Sequence, residues 1–248
     1  MIEVYKVDVF TKEPLKGNPA TVVLGTFDDE TMQKLAFELN VSETVFVDEF
    51  RLRFFTPTKE VDICGHATIG AFYVLKLKGL ENGVYTAKTN AGEVKVRLDD
   101  KVWLNVKPKL VSDGETAVVD VGIRIGLKEV ESFDNLMSLK PYDVVDLCRS
   151  LDVVGIYFYT FDSCFDACGR FFAPLYGIQE DPVTGTANSA LAYYLYATKK
   201  LVKDRYVFEQ GHALKREGIV YVDVNDGVWV GGDAVLVLEG KLFPKGKR

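Results

Sequence analysis

The sequence predicts an α+β protein of two similar lobes, in each of which a β-sheet wraps around one buried helix. The chain contains two copies of a strand–turn–helix unit, and a duplicated unit implies two similar lobes. The predicted helices, at residues 67–77 and 189–196, are apolar on nearly every side, which is typical of helices buried all round. Alternating strand patterns outnumber helical patterns, as expected if several strands surround each helix.

The two copies share motifs at matching positions. In the first copy FFTP at residues 54–57 precedes CGHAT at 64–68, and in the second copy FFAP at 171–174 precedes TGTAN at 184–188. A third repeat confirms the order, because a GxVxV pattern is followed by a tryptophan at the same spacing in both halves of the chain. The members of this third repeat are 92–96 with Trp103 and 218–222 with Trp229.

The boundary between the lobes is expected where turn-forming residues cluster between the copies. Residues 107–115 contain Pro108 and Gly114 among charged and polar residues, which is typical of a linker. We therefore expect the first lobe to cover residues 1–110 and the second to cover 111–248, with the last strands able to return to the first lobe.

Local patterns predict the elements of the first lobe in order. Residues 3–10 alternate and are rich in β-branched and aromatic residues, which predicts a strand, and a second strand is expected at 20–24 after a Pro/Gly turn. A helix is expected to open at 28–30, because three acidic residues there complement the positive end of a helix dipole. Residues 44–48 and 51–55 are expected to form a hairpin.

Composition and charge restrict the class of protein. Of the 248 residues, 48% are apolar and 27% are charged, as in an ordinary globular protein. The formal net charge of −6 argues against nucleic-acid binding, which needs clustered Lys and Arg. No apolar run approaches the ~18 residues of a membrane span and no signal-peptide pattern follows Met1. We expect a cytoplasmic protein that binds neither nucleic acid nor membranes.

The cysteines and histidines do not show metal-site spacing. None of the four cysteines forms a CxxC pair, and the two histidines, His66 and His212, are far apart in sequence. Only Cys64 lies beside a glycine turn, so the others are interpreted as packing residues. We expect no dedicated metal site and, since neither a P-loop nor a GxGxxG motif is found, no nucleotide cofactor.

The two glycine turns predict a binding site for a carboxylate. A glycine at a strand-to-helix junction lets a ligand approach the backbone, and the first turn of the helix offers N–H groups and the positive end of the dipole. Gly65 with His66, and Gly185 with Thr186, each supply this arrangement. The alternative is that both are helix starts with small residues for packing, and the duplication favours a site.

Two acidic residues near these turns are candidates for proton transfer. Glu43 lies where a helix leads into an apolar strand, and partial loss of hydration there raises a carboxyl pKa. An exposed or capping glutamate is the alternative. Asp181 precedes the second turn, where it could act in catalysis or bond backbone N–H groups. Thr186 could bind a ligand or cap its helix.

Several motifs, in order over almost the full chain, resemble the PhzF (phenazine biosynthesis-like) family. The motifs are GNP at 17–19, SET at 42–44, FTP at 55–57, CGHAT at 64–68, EDPVTGTA at 180–187 and VGGDAV at 230–235. The resemblance implies a diaminopimelate epimerase-like fold of two lobes, each a mixed sheet rolled around a central helix. It also implies cofactor-free proton transfer at carbon and a homodimer. The best-known member isomerises trans-2,3-dihydro-3-hydroxyanthranilate.

The resemblance also implies roles for individual residues. Glu43 matches the general acid/base of the family, and His66 and Asp181 match polar residues that contact the substrate or assist proton movement. Asn18 matches a residue that lines the site. Gly65 and Gly185 match the turns whose amides hold the carboxylate, and Thr186 stands where the phenazine enzyme has serine.

The chain departs from the related epimerases and racemases, which use two opposed cysteines as bases. It has a thiol at Cys64 but Thr184 at the matching position of the second turn, and a threonine is a poor base. We therefore expect an isomerase that acts on a small anionic metabolite through Glu43. An epimerase that uses Cys64 and a binding protein without turnover are the alternatives.

Overall fold

A computed structural model describes residues 2–243 of the chain, which divide into two compact units. The first unit comprises Met1–Leu104 and Gly232–Arg248, and the second comprises Asn105–Gly231. The division therefore falls at 104/105, whereas the boundary expected at 110/111 lies inside a strand of the second unit. Within residues 2–243, no helix meets the length and hydropathy that spanning a bilayer requires.

The first unit is a mixed sheet with one central helix. Its strands are β1 (Ile2–Val9), β2 (Asn18–Leu24), β3 (Glu43–Asp48), β4 (Arg51–Phe55), β5 (Glu60–Val61), β6 (Gly83–Thr89), β7 (Gly92–Leu98), β8 (Val102–Val106) and β18 (Ala234–Leu242). Its helices are α1 (Asp29–Leu39) and α2 (Gly65–Leu77). The strand order is β18-β1-β2-β3-β4-β6-β7-β8, and β5 pairs with β4.

Helix α2 is the apolar helix expected from the first copy, and it begins two residues earlier than predicted, at Gly65. Its residues from His66 to Phe72 are all buried, and it packs against β1, β2 and β3. Gly70 permits this close approach, since a β-carbon there would lie only 2.9 Å from Cγ2 of Val7. Burial on all sides explains why this helix lacks a polar face.

The second unit repeats this arrangement. Its strands are β9 (Lys109–Ser112), β10 (Ala117–Asp120), β11 (Arg124–Glu129), β12 (Gly155–Thr160), β13 (Ala167–Ala173), β14 (Ile178–Asp181), β15 (Arg205–Gln210), β16 (Gly218–Asp223) and β17 (Val228–Gly232). Its helices are α3 (Phe133–Ser138), α4 (Val145–Leu151) and α5 (Gly185–Ala197), with short 3₁₀ turns at Pro141–Val144, Pro174–Tyr176 and His212–Leu214. Buried helix α5 corresponds to α2.

The two sheets have the same sequence of pairings. From β18 to β8 in the first unit the neighbouring strands run antiparallel, antiparallel, parallel, antiparallel, parallel, antiparallel and antiparallel. From β9 to β17 in the second unit, in the order β9-β10-β11-β12-β13-β15-β16-β17, the series is identical. The predicted fold class, with mostly antiparallel mixed sheets around central helices, is confirmed.

Candidate active site

In the first unit, the fold brings Glu43, Cys64 and His66 together. The Nε2 atom of His66 lies 3.3 Å from Oε2 of Glu43, and its Nδ1 atom lies 3.4 Å from Sγ of Cys64. The hydroxyl of Ser42 is 3.5 Å from the same Nε2 atom and donates a hydrogen bond to the carbonyl of Pro19. Three segments that are separate in sequence thus contribute to one polar cluster.

Local structure explains why these side chains meet. Asn40 ends α1 in the left-handed conformation, so the chain turns and enters β3 at Glu43. Glu43 is the register partner of Ala20 in the neighbouring parallel strand β2. Cys64 is in extended conformation immediately before α2, which places His66 in the first turn of the helix. The expectation that Glu43 lies where a helix leads into an apolar strand agrees with this geometry.

The carboxyl of Glu43 is partly removed from water. Its side chain is 16% exposed, and burial raises its pKa above the ordinary value, although hydrogen bonds from Ser42 and Cys64 act in the opposite direction. His66 acts as an ion-pair partner only when it is protonated, so beside a neutral imidazole the effect of burial prevails. A raised pKa brings a carboxyl closer to the range in which it can both take up and release a proton at neutral pH.

We expect the raised pKa of Glu43 to make stability depend on pH. The native state binds this proton more tightly than the unfolded chain, so the free energy of unfolding falls as pH rises through the interval between the two pKa values. Glu43→Gln cannot ionise. The free energy of unfolding of this variant should therefore rise relative to that of the wild type as pH increases. Urea unfolding from about pH 4 to pH 8 measures the difference.

The control for this experiment is Glu60→Gln, for which the opposite sign is expected. The guanidinium of Arg53 lies 2.7 Å from Glu60 and lowers the pKa of that carboxyl. Its contribution to stability is therefore present above the ordinary pKa of glutamate and lost in acid, so this variant should lose stability relative to the wild type as pH rises. If the difference in free energy of unfolding between Glu43→Gln and the wild type stays constant with pH, burial does not raise the pKa of Glu43.

In the second unit, a buried hydrogen-bond network holds the TGT turn. The hydroxyl of Thr184 donates to Oδ2 of Asp181 at 2.5 Å. The Nε2 atom of Gln210 donates to the carbonyl of Asp181 and to Oγ1 of Thr184, and its Oε1 atom accepts from the amide of Thr184 and from Nδ2 of Asn188. Tyr157 completes the network by donating to Oδ1 of Asn188 at 2.7 Å. The hydrogen bonds from Thr184 and Gln210 therefore hold both the side chain and the carbonyl of Asp181 in place.

Gln210 is the member of this network that the sequence did not reveal. It ends strand β15, with its side chain directed at α5, and it is 1% exposed. Gln210 follows Tyr206 and Phe208 on one face of an alternating strand, and a polar residue at such a position, next to Gly211, is the sequence signal that could have indicated it.

Replacing Gln210 with methionine is expected to destabilise the turn by roughly 1–3 kcal/mol, because the amides of Thr184 and Asn188 would remain buried without their acceptor. Urea unfolding measures the loss, and faster hydrogen exchange of the Thr184 amide should accompany it. Gln33→Met is the matched control, since Gln33 donates one hydrogen bond from a half-buried position. Equal losses in both variants would contradict a special role for Gln210.

The four remaining predicted site residues lie at the starts of three elements. Asn18 begins β2 and is fully buried. Gly65 and Gly185 are the first residues of α2 and α5, as expected for amide-bearing turns. Thr186 is half-buried in the first turn of α5. Their contacts with a substrate stay predictions.

Two groups of described side chains could hold a metal ion. One is Glu43, Cys64 and His66, and the other is Cys168 with two residues near the end of β15, Glu209 and His212; in each group the ligand atoms lie within 4.8 Å of one another. Local spacing could not reveal either group, because its members come from separate segments of the chain.

Comparisons with known proteins agree with these observations. The family model described as "Phenazine biosynthesis-like protein" matches residues 7–108 and 107–240. An uncharacterized isomerase of Clostridium acetobutylicum is 35% identical, with 96% of this chain and 97% of the relative covered. The alignment extends over 297 positions, so the relative has segments that this chain lacks.

Solved structures show the same fold. A putative phenazine biosynthesis PhzC/PhzF protein of Clostridium difficile superposes with a TM-score of 0.83 at 29% identity, covering 98% of this chain and 100% of the other. A probable proline racemase of Agrobacterium radiobacter, with bound carbonate, has a TM-score of 0.67 at 16% identity, covering 98% and 93%, and shows the fold alone. The chain belongs to the phenazine biosynthesis-like (PhzF) family and is an isomerase.

Proposed function

We propose that this isomerase moves a proton between carbon atoms of a small carboxylate-bearing metabolite without a cofactor. Glu43 takes the proton from one carbon and returns it to a neighbouring carbon, so that the product has the same composition as the substrate. The observation that carries the proposal is the largely buried carboxyl of Glu43, 3.3 Å from His66 at the start of α2.

The substrate carboxylate binds at the first turn of α2 in this proposal. N–H groups and the positive end of the helix dipole favour an anion there. Gly65 has no side chain to shield the backbone amides, and His66 in the same turn lies 3.3 Å from Glu43. The family resemblance assigns the same role to Gly185 at the start of α5. It makes Asp181 a residue that contacts the substrate or assists proton movement, and Asn18 a residue that lines the site.

His66 orients the reacting proton in this proposal. Its ring lies between the carboxyl of Glu43 and the thiol of Cys64, so a proton on either nitrogen is shared with one of these neighbours. A neutral imidazole in this position can donate to the carboxylate form of Glu43 and can accept from the carboxylic acid form. Both protonation states of the acid/base are thereby accommodated without moving a heavy atom.

A second candidate is an epimerase that uses the Cys64 thiolate as a base. The observation that favours it is the 3.4 Å distance between Sγ of Cys64 and Nδ1 of His66, because a neighbouring imidazole promotes the reactive thiolate. The matching turn in the second unit has Thr184, whose hydroxyl donates to Asp181, so a second thiol base is not supplied at that position. This argues for Glu43 as the main base.

The experiment that tests the proposal is solvent exchange in D₂O with pairs of small carboxylates and their carboxamides. With a suitable carboxylate, we expect one carbon-bound hydrogen to be replaced by deuterium, observed by NMR and as a mass increase of the product. The matched carboxamide should exchange at least about 10-fold more slowly, because it lacks the charge that the helix end attracts. Exchange of the carboxamide at the same rate would contradict the proposed anchoring.

A further inference from the structure

A group of possible metal ligands lies in the second unit, apart from the polar clusters described above. Cys168 in β13 and Glu209 in β15 are direct register partners on neighbouring parallel strands, so their side chains leave the sheet on the same face. His212 lies three residues after Glu209, in the 3₁₀ turn that follows β15. Its Nε2 atom is 3.0 Å from Oε2 of Glu209.

This group is on the sheet face opposite the Gln210 network. Cys168 belongs to a hydrophobic cluster with Leu136 of α3, Cys148 of α4 and Phe172. Gln210, the neighbour of Glu209, points the other way and bonds to Asn188 of α5. Because side chains alternate along a strand, Glu209 faces the α3 and α4 side with Cys168.

The turn that carries His212 has a fixed geometry. Gly211 adopts a φ of +106°, and a β-carbon there would lie 2.2 Å from the carbonyl oxygen of Arg216. The ring of Phe133 packs edge-on against the imidazole of His212, with 5.2 Å between ring centroids. Backbone and ring packing thus hold the imidazole near the two strand residues.

Hydrogen bonding within the protein does not account for this arrangement. The Nε2 atom of His212 is buried and makes no hydrogen bond to a described residue, since its contact with Glu209 is short but lacks hydrogen-bond geometry. Cys168, the register partner of Glu209, has no positively charged form, so it gives the glutamate no opposite charge. Glu209 and His212 are 20% and 28% exposed, which leaves one side open to water.

The donor set matches a borderline-soft divalent cation. Thiolate, imidazole and carboxylate are the ligands that zinc prefers, and in a tetrahedral site these atoms are roughly 3.5 Å apart. In the structure the three ligand atoms are within 4.8 Å of one another. Side-chain rotations that move these atoms by about 1 Å would therefore bring them to the spacing of a tetrahedral site.

We propose that Cys168, Glu209 and His212 form a binding site for a divalent cation of the zinc type, with water in the fourth position. On binding, the thiol of Cys168 releases its proton to solvent and the thiolate sulfur bonds to the cation. The cation would join β13 to the end of β15 and to the turn after it. This proposal does not depend on the proposed function.

The test uses Co²⁺ and Zn²⁺ with the full chain in a Cys64→Ser background, which removes the thiol of the other possible metal group. One equivalent of Co²⁺ should produce sulfur-to-cobalt charge-transfer absorption, and Zn²⁺ should displace it. The absorption should persist in Cys148→Ala, the matched control for a buried thiol of the same core cluster, and disappear in Cys168→Ala. Persistence of the band in Cys168→Ala would overturn the proposal, as would its absence from the Cys64→Ser protein.

A second pair of variants avoids any disturbance of the core. His212→Ala and Glu209→Gln alter partly exposed side chains. Loss of residues that only support metal ligands lowers affinity 10–100-fold, so loss of a ligand is expected to weaken Zn²⁺ binding by at least about 100-fold in each variant. Zinc should raise the melting temperature of the Cys64→Ser protein but not of these variants. An equal rise in all three proteins would contradict the assigned ligands.

Discussion

Replacing Glu43 with glutamine is expected to lower turnover at least about 100-fold, the smallest effect typical of a positioned general acid/base. Glutamine preserves the shape of the side chain and can still contact His66, but it cannot accept a proton from carbon. Steady-state kinetics on the substrate identified by solvent exchange provides the measurement. The loss should appear in kcat, because the carboxylate contacts at α2 are unchanged.

Two control variants make this result specific. Glu38→Gln changes an exposed residue of α1 and should leave turnover unchanged. Cys64→Ser separates the two candidate mechanisms, since it removes the thiol and leaves the Glu43 carboxyl. A small effect of Glu43→Gln together with a 100-fold loss in Cys64→Ser, on the scale of a removed acid/base, would favour the epimerase mechanism over the proposed one.

Replacing Arg170 with methionine is expected to destabilise the protein by about 3–5 kcal/mol, the usual effect of removing one partner from a buried ion pair. Arg170 and Glu180 are 6% and 9% exposed and form two hydrogen bonds of 2.8 Å. The guanidinium also donates to carbonyls at the end of α3, including that of Leu136 at 2.9 Å, and lies over the ring of Phe172. The variant would leave a buried carboxylate and several carbonyls without their donor.

Urea unfolding measures the loss of stability in Arg170→Met, and an exposed arginine–carboxylate pair serves as the control. Arg149 lies 3.4 Å from Asp146, but the two side chains are 65% and 99% exposed, so Arg149→Met should change stability by less than about 0.5 kcal/mol. The double variant Arg170→Met, Glu180→Met should be more stable than Arg170→Met alone, because no buried charge remains. Similar losses in Arg170→Met and Arg149→Met would show that burial of the ion pair is unimportant.

Patterns local to the sequence were sufficient for much of the fold. The hairpin expected at 44–48 and 51–55 is formed by β3 and β4, and Asp28 caps α1 by accepting from the amide of Thr31. These features depend on neighbouring residues, which is why composition and periodicity reveal them. The duplicated motifs predicted the repeated topology for the same reason.

Features that depend on distant pairings were not predictable in this way. Residues 109–112 were expected in a linker, but Leu110 pairs with Val119 and the segment forms β9. The starts of α2 and α5 were placed too late, because glycine and small polar residues there have weak helix preference of their own.

The same limit applies to side chains in the candidate site and beyond it. The resemblance to a known family identified Glu43 and His66, and the structure brings these two residues into contact. Gln210 and the group around Cys168 became apparent only when parallel pairing placed β13 beside β15. Tertiary pairing between segments more than 40 residues apart leaves no signal in local spacing.

The most direct test of the central claim is substrate-dependent exchange of carbon-bound hydrogen with D₂O, compared between the wild-type protein and Glu43→Gln. Proton transfer through Glu43 predicts deuterium in the product of the wild-type reaction and exchange at least about 100-fold slower in the variant. Equal exchange rates in the two proteins would contradict the assignment of Glu43 as the general acid/base.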